Sequence, residues 1–266
     1  MKVFKSEYLN DYGNYSFGYT EYAIKENEED ITDIYLNGYL PYSANIKIKY
    51  PLFYLARSLR VKLSKFNDSS ENRRINRKME EIAPQIIRYN LSDFDIQNNE
   101  FIDFCMRYAN ERFSENVMSQ QRFNNILNLG IATDIFEFIN PQSNKPLGYV
   151  LAVINEEIFH YWFSFYNTEL LNAVPIGKWL MWRMIKWSKE NNLKYIFLGT
   201  GYGTKSLYKI RDFKGLEFFD GNFWNSDIKH LKTLCKADEE KKDRDQFKLL
   251  ENPNEYLKTI ISKTKN

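Results

Sequence analysis

From residue 135 the apolar positions fall into a period of two. Ile135 to Ile139, Leu147 to Ile154 and Ile158 to Tyr166 are apolar or alternating runs separated by Asn-Pro and Asn-Glu-Glu steps, which predicts a meander of three strands. After Pro175 the period lengthens to that of a helix running to Asn191 or Asn192. Pro175 suits the helix start, because its missing N–H would have no partner there. On a helical projection Lys178, Arg183, Lys186, Lys189 and Glu190 fall within an arc of roughly 140°, opposite Ile176, Leu180, Met184 and Trp187. Lys194 to Leu198 then reads as a short buried strand, followed by glycines at 199, 201 and 203. Three alternate glycines let backbone approach a ligand. They do not open a dinucleotide-type βαβ unit.

Ahead of the meander, Asp93 to Leu129 predicts one or two helices, with Phe101, Phe104, Tyr108, Phe123, Ile126 and Leu127 on buried stripes and Cys105 packed among them. Ser69-Ser70-Glu71 marks a helix start before Asn72 to Gln85. Gly38 to Ser43 reads as a turn. Residues 1–35 suggest a strand, an acidic turn and another strand. Lys236 to Asn266, dense in charges of both signs, predicts a helical tail. Helices, then strand, strand, strand, helix, strand is the element order of the acyltransferase fold called GNAT.

The chain has 266 residues and 17% aromatics, enough for a packed core. The absence of a long apolar run and of a charged-then-apolar leader predicts no membrane span, no secretion and a cytoplasmic location. With two cysteines and two histidines, neither a disulfide framework nor a metal centre is expected. The net charge of +2 conceals an uneven distribution: Tyr42 to Glu80 carries ten Lys or Arg against three acids, a local +7. Such an excess fits an anionic partner or a solvated helix face. Trp179 and Trp182 lie on the lysine side of the helix after Pro175. They either stack on bases or are covered by another part of the chain or by the stems of neighbouring Lys and Arg side chains.

Three ordered blocks carry a family resemblance. The run Arg57-Ser-Leu-Arg60-Val61 to Phe66, with Ser69-Ser70 and Arg73-Arg74 behind it, resembles the signature of the arginyl-tRNA protein transferases and their bacterial leucyl-transferring relatives. Phe104, Tyr108 and Arg112 at four-residue spacing resemble that family's second block. Ile176-Gly177, Phe197-Leu198-Gly199 and Ser206-Leu207-Tyr208-Lys209 with Phe213 resemble the third. The likeness spans roughly residues 38–225. This chain lacks the family's cysteines ahead of the first block, and has Phe113 where the family has His and Leu207 where it has Met.

The resemblance implies an α/β GNAT-like acyltransferase fold with a mixed, mainly antiparallel sheet. In outline, residues 1–92 form an α+β region with the basic segment, 93–235 the acyltransferase domain and 236–266 the charged helical tail. The implied reaction moves arginine or leucine from its tRNA onto an N-terminal amine beginning with Asp or Glu, with aminoacyl-tRNA as co-substrate and no cofactor. Tyr208 and Lys209 are the expected catalytic residues. Arg57, Arg60, Arg112, Tyr161, Gly199, Gly201 and Ser206 are expected at the substrate, with an arginine holding the acidic acceptor and backbone N–H groups of the Tyr161–Tyr166 edge holding the carbonyl. Arg73, Arg74, Arg77, Lys78, Lys178 and Trp179 are expected to meet tRNA. An aminoacyl ester is already activated and an α-amine titrates near roughly 7.7–8.0, so positioning and oxyanion donors supply most of the catalysis. The alternatives are an acyl-CoA N-acyltransferase and a non-catalytic tRNA-binding relative. Against the former, Val174 and Trp179 stand where a pyrophosphate loop needs Arg or Gln and a small residue.

Overall fold

The meander predicted from the alternating runs is present. β7 (Asp134–Asn140), β8 (Lys145–Ile154) and β9 (Ile158–Tyr166) pair antiparallel in sequence order. A computed structural model describes residues 1–14, 16–113, 117–240 and 251–263. Beyond the meander, α5 (Ile176–Glu190) crosses over the sheet and β10 (Tyr195–Thr200) returns parallel to β9. The sheet is completed by β5 (Ser58–Lys62), β6 (Gln85–Asn90), β11 (Leu216–Phe219) and β12 (Trp224–Asn225), in the order β12-β11-β5-β10-β9-β8-β7-β6. All its neighbours except β9 and β10 run antiparallel, the mixed sheet expected of a GNAT-like fold.

A second sheet, β1 (Lys2–Asp11), β2 (Ser16–Ile24), β4 (Leu52–Leu55) and β3 (Tyr39–Pro41), packs on the first. Ala23, Tyr39, Leu40 and Phe53 share one apolar cluster with Val153, Ile158 and Phe197. The helices cover the other face, where α2 (Ser70–Glu80), α3 (Asn99–Arg112), α4 (Gln120–Asn128) and α5 supply the larger cluster. Serine and asparagine caps fix these helix starts: Ser69 accepts from the N–H of Asn72, Asn98 from Phe101 and Ser119 from Arg122.

Several expectations are corrected. The strand expected after the acidic turn is a helix, α1 (Asp30–Leu36), because the Asp30 carboxylate accepts from the N–H groups of Glu26 and Asn27 and buries Ile31, Ile34 and Tyr35 on one face. Gly38 to Ser43 is not merely a turn, since Tyr39–Pro41 pairs with β4. The boundary expected at residue 92 cuts through the large sheet, which draws β5 and β6 from upstream of it. The charged tail begins earlier than expected: α7 (Ile228–Glu240) buries Leu231, Leu234 and Cys235 in the main core. A further helix, α8 (Pro253–Lys263), follows, and 241–250 and 264–266 lie outside the described residues. Among the described residues no helix is long and apolar enough to cross a membrane.

Arg60, expected at the substrate, belongs to this framework. It is 7% exposed, ion-paired with Glu217 across β5 and β11 at 2.8 Å, and held between the rings of Tyr195 and Trp224. Removing one member of such a pair strands the other charge. Arg60→Leu is therefore expected to destabilise the fold by about 3–5 kcal/mol in urea denaturation, and an unchanged midpoint would show that Glu217 finds another partner.

Candidate functional site

β9 and β10 stay paired for three positions only, Tyr195 with Ile158, Ile196 with Phe159 and Phe197 with His160. Beyond that point both strands carry a bulge. On β9 the register with β8 slips between Phe163 and Tyr161, leaving Trp162 as the extra residue. On β10 the register with β5 slips between Phe197 and Thr200, where Gly199 adopts φ +78°. A bulge bends its strand and raises the local twist, and glycine takes the left-handed backbone at little cost. Two bulges at one level spread the strands apart. A cleft of about 370 Å³ opens between them, lined by β9 from His160 to Ser164, by Leu198, Gly199 and Thr200, and by Tyr208 and Lys209.

The cleft is lined from both faces of the sheet, by Leu40, Pro41 and Tyr54 on one side and Tyr108 and Met181 on the other. Successive strand residues face opposite sides, and accordingly Ile158 joins the cluster shared with the small sheet while Phe159 and Tyr161 join the cluster under the helices. His160 shares the face of Ile158 and contacts Tyr35 of α1. Both His160 and Tyr161 line the cleft, so its lining draws on residues of both faces.

Lys209, on α6 (Leu207–Arg211), sits at this vertex. Its Nζ donates to the Thr200 carbonyl at 3.3 Å, and a Cβ added at Gly199 would lie 3.6 Å from it. No carboxylate pairs with it among the described residues. Burial lowers its ammonium to about 8. His160 is 2% exposed, and burial together with the Lys209 charge lowers it to about 3. Tyr208 is 46% exposed as a residue, yet burial of its hydroxyl end, with Tyr166 adding to it, raises the phenol to about 12. The Tyr161 hydroxyl is buried without a hydrogen-bond partner of normal geometry, although Ser164 lies close enough to oppose slightly the rise that burial imposes.

Among the described residues no Asp or Glu lines the cleft, whereas two cations do, Lys209 and Arg122. Arg122 leaves α4 and donates to the Ser43 carbonyl at 2.9 Å, to the Ser43 hydroxyl at 3.1 Å and to the Val117 carbonyl. These acceptors are neutral, and the guanidinium has more N–H donors than they occupy.

Of the expected site residues, Tyr208, Lys209, Tyr161 and Gly199 come together in this cleft. Arg112 ends α3 on the surface, one residue before Phe113, which lines the cleft. The others serve the frame. Arg57 pairs with Asp238 of α7 at 2.8 Å, bonds the Gly201 carbonyl and lies over Tyr202. Gly201 is packed against Leu59, and Ser206 is buried on the Gly203 carbonyl and Cys235. Lys178 is ion-paired with Asp212 and lies 3.5 Å from Glu71, so its charge is neutralised. Trp179 is buried with its indole N–H on Asn76, and Trp182 with its own on Asp68, because α2 covers that side of α5. Arg73, Arg74, Arg77 and Lys78 remain exposed on the outer side of α2, with Arg74 paired to Glu71.

Arg122, Ser43, Tyr54, His160 and Trp162 also line the cleft and carry no motif. The absence of any nearby acid in sequence around Arg122 was the one available signal, and it does not specify a cleft.

At the start of α5 the N–H groups of Ile176, Lys178 and Trp179 already donate to the carbonyls of Val174 and Pro175, and the Tyr166 ring lies against Gly177. A pyrophosphate would have to displace these contacts.

No curated protein matches the sequence. Among solved structures, L-PGS from Bacillus licheniformis aligns at 15% identity and a TM-score of 0.40, covering 67% of this chain and 51% of its own. FemX aligns at 11% and 0.41, covering 65% and 60%. A conserved protein of unknown function from Bacteroides thetaiotaomicron aligns at 15% and 0.43, covering 73% and 66%. The chain thus spans about half the length of the first of these. Residues 142–210 match the family described as Acetyltransferase (GNAT) domain. That segment holds β8, β9, α5, β10 and α6 up to Ile210, the elements that build the opening, and the fold is that of a GNAT-like acyltransferase domain.

Proposed function

We propose that the protein transfers an aminoacyl group from the ester of a charged tRNA to an amine, with the two substrates meeting at the opening between β9 and β10. The observation that carries this reading is Lys209, an amine that lines the cleft between β9 and β10 with no carboxylate partner among the described residues. Neutral Lys209 takes a proton from the acceptor amine as its nitrogen attacks the ester carbonyl. A C–N bond forms, and the carbonyl π electrons move to oxygen. When that oxyanion collapses, the C–O bond to the ribose breaks and the leaving oxygen takes the proton back from Lys209. A group that titrates near the working pH suits both transfers, and Tyr208 beside it stays protonated as a neutral donor. The backbone of β9 beyond His160, with no registered partner on β10, offers N–H groups to the carbonyl.

An acidic acceptor fits a lining that has no carboxylate among the described residues. Arg122 replaces Arg57 and Arg60 as the cation that holds it, because those two are engaged by Asp238 and Glu217, and Arg112 is exposed at the end of α3. The tRNA backbone falls to Arg73, Arg74, Arg77 and Lys78 on α2. The donor identity follows the sequence resemblance, which points to arginine or leucine. The second reading, transfer from acyl-CoA, is favoured by the family match at residues 142–210, and the occupied N–H groups at the start of α5 weigh against it.

Full-length protein incubated with arginyl- or leucyl-tRNA should label peptides beginning with Asp or Glu in preference to Ala. Transfer from acetyl-CoA in place of tRNA would support the second reading, and RNA binding without any transfer would point to a non-catalytic relative. The rate should rise with pH and level off above about 8, where Lys209 is neutral. Lys209→Met should lower kcat at least about 100-fold and abolish that limb. Arg73→Ala with Arg74→Ala should weaken tRNA binding and flatten its salt dependence, and an unchanged slope would remove α2 from the interface. Lys209 also predicts a stability effect. Its amine is depressed in the fold, so the penalty for charging it is full below about pH 8 and fades as pH rises toward the ordinary lysine value of 10.5. Urea denaturation should therefore find Lys209→Met more stable than wild type near pH 7, with the difference shrinking above pH 8.

A further inference from the structure

His160 lies at the last paired position of β9, where the strands part, and lines the cleft beside Lys209. Its Nδ1 is 2.8 Å from the hydroxyl of Tyr35, which is wholly buried on α1. The direction of that bond follows from satisfying both groups. If Nδ1 carried the proton and donated, the Tyr35 O–H would need a second acceptor in an apolar cluster made of Phe53, Ile34, Ile158 and Phe197. None contacts it among the described residues, and a buried hydroxyl proton without an acceptor is costly. The arrangement that satisfies both has Tyr35 donating to Nδ1, which leaves the imidazole proton on Nε2. The Nδ1 edge is occupied by Tyr35, so Nε2 is the ring nitrogen left for the cleft.

We propose that His160 is a fixed, neutral Nε2–H donor to the oxygen of the acyl carbonyl held in the cleft, and that Tyr35 is the positioning residue that sets its tautomer. The donor serves the negative charge that develops on that oxygen as the acceptor nitrogen attacks, while Lys209 handles the protons. The groups facing the ring are Tyr35 from α1, Trp162 from β9 and Lys209 from α6. None is acidic, so no counter-charge favours an imidazolium. The ring stays neutral across the physiological range and cannot exchange roles with Lys209. This inference rests on the transfer reading above, but the tautomer can be observed without any reaction.

The chain has two histidines, so histidine-selective 15N labelling of the full-length protein gives two imidazoles, and His230→Gln assigns them. Long-range 1H–15N correlation should show His160 with a protonated Nε2 and a bare Nδ1, unchanged from about pH 5 to pH 8. Tyr35→Phe should collapse this into a mixture of tautomers or into the other one. A protonated Nδ1 in wild type, or titration near the ordinary histidine value, overturns the proposal whether or not the protein transfers aminoacyl groups. In the transfer assay, His160→Phe should lower kcat about 100-fold or more with little change in KM, the usual effect of losing one oxyanion donor. His160→Gln, which keeps an N–H at a similar reach, should recover most of that loss. Equal losses in the two variants at equal thermal midpoints would show that the ring serves packing alone. Absence of transfer by wild type with the expected tautomer present would count against the reaction and leave the fixed donor standing.

Discussion

The parallel pairing of β9 with β10 ends at His160, and the arrangement of the site follows from that break. Parallel strands buried on both faces normally continue until a loop relieves them. Here the pairing fails within the sheet because each strand spends an extra residue on its outer neighbour, Trp162 against β8 and Gly199 against β5. The outer pairings hold the two strands apart, so the gap is built into the framework and does not depend on a mobile loop. Backbone that would otherwise be consumed by a ladder is left facing a cleft lined by residues of both faces of the sheet.

What fills the gap is unusual in its electrostatics. Several cations of the framework are neutralised: Arg60 by Glu217, Arg57 by Asp238, Lys178 by Asp212, Arg88 by Asp134. At the cleft Lys209 and Arg122 face carbonyl and hydroxyl oxygens instead. A buried ammonium without a counter-charge costs stability, and such a cost is commonly retained where a pKa must be tuned for chemistry. The neighbouring groups are phenols and a neutral imidazole, donors suited to a developing negative charge. Three contributors therefore converge from separate elements: β9 with its open edge, α6 with Lys209 and α1 with Tyr35 behind His160.

Much of the order of elements was legible in advance. The meander, the helix after Pro175 and the strand behind it had clear periods, and they are the elements that form the opening. Tyr208 and Lys209 were reached through a motif, and they do lie at the cleft. The arginines misled for a physical reason. An Arg in a run that resembles a family motif is recognisable as a cation, but whether its charge is available depends on an acid far away in sequence, Glu217 for Arg60 and Asp238 for Arg57. Trp179 misled similarly, because the α2 surface that covers it lies about a hundred residues upstream.

The sequence by itself determined much of the local structure: the meander, the helix after Pro175, the serine start of α2, and a glycine at 199 that can take a backbone angle other residues avoid. These depend on side chains within a few positions of one another. Only the tertiary structure decided which charges remain uncompensated, which face of α5 is covered, that His160, Arg122 and Lys209 line one cavity, and that Tyr35 stands behind His160. Those properties depend on contacts between residues tens to over a hundred positions apart, and a pattern of period two or 3.6 carries no information about them.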